Sequence, residues 1–322
     1  MNNARARIVF AGTPAFAVPT LKRIAVSGHV LAGVLTQPDR PAGRGQKLQA
    51  SPVKAIAGTL DVPILQPANL QEEQVSIWLE KHQPDLMVIV AYGLILPREI
   101  LRTPACGCVN VHASLLPRWR GASPIQAAIL HGDQSSGISI MRMEAGLDTG
   151  PVYATREIEI GKNETADELH DRLAELGARC LIEVLPGLLD MSLPAQPQDD
   201  SRATYAGRIV KADATIDWGQ PAAEIHNKIR AYNSWPVAET LLDGKRLRCW
   251  MSENLTDEQN TLAGIPGTVV AVTDSAVRVQ TALGQLDLTE LQLPGRQRVP
   301  AVELARGYGE SLLGKQLGTT GK

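Results

Sequence analysis

Residues 110–121 read NVHASLLPRWRG. Asn110 and His112 sit two apart, directly after the apolar run CGCV (106–109). On a strand, side chains two apart share a face. An amide and an imidazole would then stand together where a strand meets a loop. Such a pair can cap the strand and bond the loop. It can also donate hydrogen bonds to a developing oxyanion. A third group, Asp148, lies in EAGLDTG (144–150) between Gly146 and Gly150, which permit a tight turn. A carboxylate there can cap its own turn, or it can orient the imidazole. The three have the makings of an acyl-transfer site that lacks a nucleophile, because no G-x-S-x-G motif occurs. The substrate would then bring its own nucleophile, such as an amine, to an activated acyl donor. Asp148 and His112 would move the protons.

The elements that must hold these groups are legible as apolar runs. RIVFAG (7–12), HVLAGVLT (29–36), VPILQ (62–66), DLMVIVAY (85–92), CGCVNVH (106–112) and SGISIMRM (136–143) read as strands. Near-continuous apolar runs mark strands covered on both faces. Helical spacing appears at 15–27, 72–82 and 124–131, and Thr165 and Glu168 form a capping box for a helix reaching Leu189. Strand alternating with helix predicts an α/β fold, a Rossmann-like, mostly parallel sheet with helices on both faces and right-handed crossovers. Residues 191–208 are polar, contain two prolines and read as a linker. After a helix at 221–232 the apolar period becomes two, in KRLRCWM, GTVVAV, AVRVQT and QLDLTELQL, which predicts a small antiparallel barrel. The expected division is therefore 1–190, a linker at 191–208, and 209–322.

Composition narrows the partners. The chain has 322 residues, enough for two domains, and 44% apolar residues, enough for ordinary cores. Its net charge of −2 predicts no bulk attraction to a polyanion, so any nucleic-acid contact must be a local patch. Cys106, Cys108, Cys180 and Cys249 are too scattered for a disulfide scaffold. The lone C-x-C lacks a second ligand pair, so reduced thiols and no metal are expected. MNNARARIVFAGTP breaks at Gly12 and Pro14, and neither a signal peptide nor a membrane span is expected.

The first turn, AGTPAFAVP (11–19), has Gly12 but no G-x-G-x-x-G, which argues against a dinucleotide cofactor. Two apolar strand-end loops could instead line a slot for a flat ligand: the one around Tyr92, Gly93 and Leu94, and Ser114, Leu115, Leu116 and Pro117. Either could equally be a buried loop. The stretch 36–54 carries Arg40, Arg44, Lys47 and Lys54 against Asp39, a charge of +3, with three prolines and no apolar face. It reads as a long structureless loop, either functional or a solvated surface. In 209–322 there are 12 Lys and Arg against 13 Asp and Glu. Basic contacts there must come from clusters such as Lys245, Arg246 and Arg248, or Arg296 and Arg298.

Taken in order, FAGTPAFA, TQPDRPAGRGQKL, VIVAYGLILP, NVHASLLPRWRGASPIQ, MEAGLDTG, IDW (216–218) and RAYNSWP (230–236) closely resemble the methionyl-tRNA formyltransferase family of folate-dependent enzymes. Ala113 stands where glycine is common in that family. The resemblance implies transfer of a formyl group from 10-formyltetrahydrofolate, a co-substrate, to the α-amino group of methionine on initiator tRNA. It implies Asn110, His112 and Asp148 as catalytic residues and Ser114–Pro117 as a folate contact. It also implies a Rossmann-like first domain and a C-terminal oligonucleotide-binding-type β-barrel. The loop around Arg44 is implied to meet the acceptor end of the tRNA. A cytoplasmic monomer without a membrane partner is expected. Nucleotide-sugar and glycinamide ribonucleotide formyltransferases would share the three polar residues but do not explain PDRPAGRG. A folate- or tRNA-binding protein without catalysis need not keep all three.

Overall fold

The computed structural model describes residues 5–42, 45, 47–255 and 264–318. The chain divides into two compact units. One is built from the chain up to Pro124 with Ser136–Ile158 and His170–Ala206; the other from Ile125–Ser135, Glu159–Leu169 and the chain from Gly207.

In the first unit a seven-stranded sheet joins β1 (Arg7–Gly12), β2 (Val30–Leu35), β3 (Ile64–Leu65), β4 (Leu86–Val90), β5 (Cys108–His112), β6 (Ser135–Arg142) and β7 (Val152–Glu159). Its order is β7-β6-β5-β4-β1-β2-β3. The five strands from β1 to β5 pair in parallel. β4 and β5 are buried at every residue, as continuous apolar runs require of strands covered on both faces. Val75, Leu79 and Ile100 of helices Glu73–His82 and Arg98–Arg102 cluster with Val9, Ala11, Met87, Ile89 and Cys108. On the opposite face lies the long helix Ala166–Leu189. A Cβ at Gly177 would come 2.7 Å from Val111 Cγ1, so glycine lets this helix approach β5 closely. Its capping box forms as expected, with Thr165 N–H donating to Glu168 over 2.8 Å and Glu168 N–H to Thr165 Oγ1 over 3.3 Å.

Three sequence readings change. β6 runs antiparallel to β5, pairing Ser139 with His112 and Arg142 with Val109. The parallel pattern therefore ends at β5, and β7 was not foreseen: its exposed, charge-rich residues hide the strand period. Second, the stretch 36–54 is not structureless. Arg40–Ala42 pairs antiparallel with Lys47–Gln49, and a helix, Pro52–Ala57, follows with Ser51 as N-cap. Third, residues 191–208 do more than connect, because Tyr205–Ala206 pairs in parallel with Arg120–Gly121.

In the second unit, β8 (Glu239–Leu242), β9 (Lys245–Asn254), β10 (Val269–Val272), β11 (Val277–Gln280), β12 (Gln285–Gln292) and β13 (Val299–Pro300) form the expected antiparallel β domain. The strand order is β8-β9-β12-β11-β10, with β13 on β12. Alternate residues such as Leu247, Cys249, Val277, Val279, Leu286 and Leu288 face helices Ala222–Ala231 and Ala301–Tyr308.

Candidate active site

β5 delivers Asn110 and His112 to one face at its carboxyl end, where open parallel sheets bind ligands. Both are buried, yet the Asn110 side chain makes no hydrogen bond among the described residues. Its amide is not among the buried unpartnered atoms, so it is accessible at this strand end and can donate or accept there. His112 is fixed. Its Nε2 donates to the Trp119 carbonyl over 3.1 Å, which leaves Nδ1 as the nitrogen that faces Asp148. Nδ1 stands 3.8 Å from Asp148 Oδ2. That gap is too long for a direct hydrogen bond.

Asp148 reaches this position by an indirect route. Because β6 is antiparallel, the chain leaves it at the Val109 end of β5 and must double back to His112. Gly121 N–H donates to Asp148 Oδ2 over 2.9 Å and aims the carboxylate. Ala91, Trp119 and Asp148 all have positive φ, of 45°, 59° and 53°. Left-handed non-glycine residues cost energy and persist only where the surroundings hold them.

Ser139, fully buried and missed by sequence reasoning, pins the Ser114–Pro117 loop. Its Oγ donates to Ser114 O over 2.7 Å and accepts Leu116 N–H over 3.0 Å. Ser114 Oγ in turn donates to Arg118 O over 2.6 Å. Leu115, Leu116 and Pro117 stay half-buried, and Leu94 is half-buried at the neighbouring strand end with Gly93 exposed. Tyr92 is placed differently from expectation. Its ring is 1% exposed within the apolar core, and its hydroxyl has no partner among the described residues. Burial pushes that phenol above its ordinary value. Its carbonyl accepts from Thr13 Oγ1 over 3.1 Å and Gln37 Nε2 over 2.8 Å, so Tyr92 ties strand ends together.

The candidate basic residues are dispersed. Arg40 and Lys47 are exposed on the small hairpin, where Arg40 donates to Gln37 Oε1 over 2.6 Å. Lys54 is spent on Asp39, 2.7 Å away. Arg44 lies outside the described residues. Lys245 is exposed on β9, and Arg246 pairs with Glu239 over 3.2 Å. Arg248 lines an open pocket with Arg246, Gln292 and Pro294, and its Nε is buried without a partner. Arg298 stacks over Trp250, centroid distance 5.0 Å. The four thiols are free, and burial pushes Cys108 up to about 12. Among the described residues no three His, Cys, Asp or Glu side chains cluster as a metal site. No described helix is long and apolar enough to cross a membrane.

The Formyl transferase family model matches residues 6–185, and the Formyl transferase, C-terminal domain model matches 208–309. A methionyl-tRNA formyltransferase of Methylococcus capsulatus is 49% identical over 97% of this chain and 100% of its own length. One from Nitrosococcus oceani is 50% identical, over 90% of this chain and 89% of its own. The chain belongs to the methionyl-tRNA formyltransferase family. Solved structures with the family's fold include WlaRD, a sugar 3N-formyl transferase, with TM-score 0.65 and 18% identity over 92% of this chain and 100% of that one. HypX from Aquifex aeolicus in complex with tetrahydrofolic acid gives TM-score 0.64 and 18% identity over 96% of this chain and 48% of that one.

Proposed function

We propose that this formyltransferase moves the formyl group of 10-formyltetrahydrofolate to the α-amino group of methionine on initiator tRNA. The observation that carries the chemistry is the open Asn110 amide beside a fixed His112, with Asp148 Oδ2 3.8 Å from Nδ1. The amine nitrogen attacks the formyl carbon, and the carbonyl oxygen becomes an oxyanion. Asn110 N–H and the protonated His112 receive that charge in a buried setting, where such donors act most strongly. The Asp148 carboxylate takes the proton the amine releases. As the bond from the formyl carbon to folate N10 breaks, a proton passes to that nitrogen from His112. The new amide then leaves with its carbonyl restored.

The folate slot in this reading is Ser114, Leu115, Leu116 and Pro117 with Gly93 and Leu94, while Tyr92 supports it from the core. The acceptor end of the tRNA is met by Arg40, Arg44 and Lys47. Lys245, Arg246 and Arg248 supply phosphate contacts in the second unit, and the open pocket lined by Arg246 and Arg248 supports this. The functional division proposed is 1–190, a connecting stretch at 191–208, and 209–322. The reaction belongs in the cytoplasm, with the chain acting as a single copy. The test is transfer of labelled formyl to Met-tRNA, free methionine and nucleotide-sugar amines in parallel. Transfer to Met-tRNA alone is expected; transfer to a sugar amine but not to Met-tRNA overturns the reading.

A further inference from the structure

We infer that Gln198 and Thr204, acting with the buried Arg120, are positioning residues that hold Asp148 and His112 for the transfer. The inference rests on the assignment of Asp148 and His112 above. All the residues involved lie in the first compact unit.

Gln198 sits at the centre. Its Nε2 donates to the Asp148 carbonyl over 2.8 Å and to the Gly150 carbonyl over 2.7 Å. Both hydrogens of one amide thus grip the backbone of the loop that carries the carboxylate. Its Oε1 accepts from Arg120 Nε over 3.0 Å and from a second Arg120 nitrogen over 2.8 Å. Arg120 is 2% exposed, and its guanidinium also reaches Asp200 Oδ1 over 2.7 Å. A buried guanidinium needs such partners. The Gln198 amide is therefore held in one orientation, with oxygen toward Arg120 and nitrogen toward the Asp148 loop.

Thr204 completes a second grip. Its Oγ1 accepts Trp119 N–H over 2.9 Å, and its carbonyl accepts Arg120 N–H over 2.9 Å. Trp119 carries the carbonyl that accepts the His112 Nε2–H hydrogen bond, and its φ is +59°. Gly121, next in the chain after Arg120, donates to Asp148 Oδ2. Ala122 N–H donates to Ala206 O over 2.9 Å. The segment 198–206 thus fixes, at separate points, the group that sets the His112 tautomer and the group that aims Asp148. Both anchored residues are in left-handed conformations that local propensity does not favour. Without the strap, each loop has lower-energy alternatives that misplace a reacting group, and misplacement by about 1 Å can cost about 10²-fold in rate.

Gln198→Glu separates positioning from folding. The carboxylate still accepts from Arg120 but cannot donate to the two carbonyls. Single-turnover formylation of Met-tRNA is expected to fall about 10²-fold, with tRNA affinity little changed. In an Asp148→Asn background the same substitution should cost little more, because coupled residues are not additive. Thr204→Val, which removes the acceptor for Trp119, should slow transfer, and Thr204→Ser should recover it. Full activity of Gln198→Glu, or an equal loss in both backgrounds, overturns the inference. Normal turnover of Asp148→Asn alone would overturn the underlying assignment, a distinguishable outcome that removes the inference with it.

Discussion

Asp148 Oδ2 faces His112 Nδ1 across 3.8 Å, and the same oxygen accepts the Gly121 N–H over 2.9 Å. The carboxylate is thus aimed by a backbone amide while its charge stays available to the imidazole. Asp148→Asn keeps an oxygen for Gly121 and removes the charge. Single-turnover formylation should fall about 10²–10⁴-fold, the usual contribution of a positioned acid or base, without loss of fold. Unchanged turnover would exclude Asp148 from the proton transfers.

The Asn110 side chain makes no hydrogen bond among the described residues, so its truncation costs little stability and much rate. Asn110→Ala should slow the chemical step about 10²–10³-fold, corresponding to one lost oxyanion donor of about 2.7–4 kcal/mol. His112→Ala should be at least as damaging, because it also frees the Trp119 carbonyl. Filter binding of Met-tRNA should be nearly unaffected in both. A parallel loss of binding would mean that these residues recognise the tRNA.

Gly121 and Gly150 bracket the site for steric reasons. Gly121 has φ +117°, and a Cβ there would lie 2.5 Å from the Ala206 carbonyl oxygen. A Cβ at Gly150 would overlap the Arg142 carbonyl oxygen. Alanine at either position should lower stability by about 1–3 kcal/mol and depress activity. Urea titration reads the first as a shifted midpoint with unchanged slope.

The basic patch on β9 makes a salt-dependence test specific. Arg248→Ala should reduce the slope of log affinity for Met-tRNA against log salt by about 1, because its guanidinium faces the open pocket where a phosphate would sit. An unchanged slope would assign Arg248 to the sheet surface only.

His226 makes stability depend on pH. It is 5% exposed; its Nε2 donates to the Lys162 carbonyl over 3.0 Å, and Nδ1 accepts from Ser252 Oγ over 3.0 Å. Burial holds its pKa below the ordinary 6.5, and Arg230 adds to the lowering. As pH falls through 6.5 the unfolded chain binds the proton first, so stability is full above that value and declines below it. Urea midpoints between about pH 5 and 7 should fall with acid in the parent chain and fall less in His226→Gln. Equal slopes would show that His226 is not the titrating group.

How much the sequence revealed follows from what makes each feature. The β4 and β5 runs, the Thr165–Glu168 cap and the two-residue spacing of Asn110 and His112 depend on neighbours along the chain, so pattern alone determined them. Pattern also determined the apolar loops at the strand ends, through their missing glycine fingerprint and missing nucleophile. Tertiary structure decided the rest. Tyr92 became core rather than slot because the Thr13 and Gln37 side chains hold its backbone at the strand ends. β6 turned antiparallel, which no local period reports, and this forced the loop with Asp148 back along β5. Gln198 and Thr204 sit in a polar, proline-containing stretch with no periodic signal. Their meaning comes from partners 50 and 85 residues away, Asp148 and Trp119. Bonds at that separation are set only when the whole chain has packed.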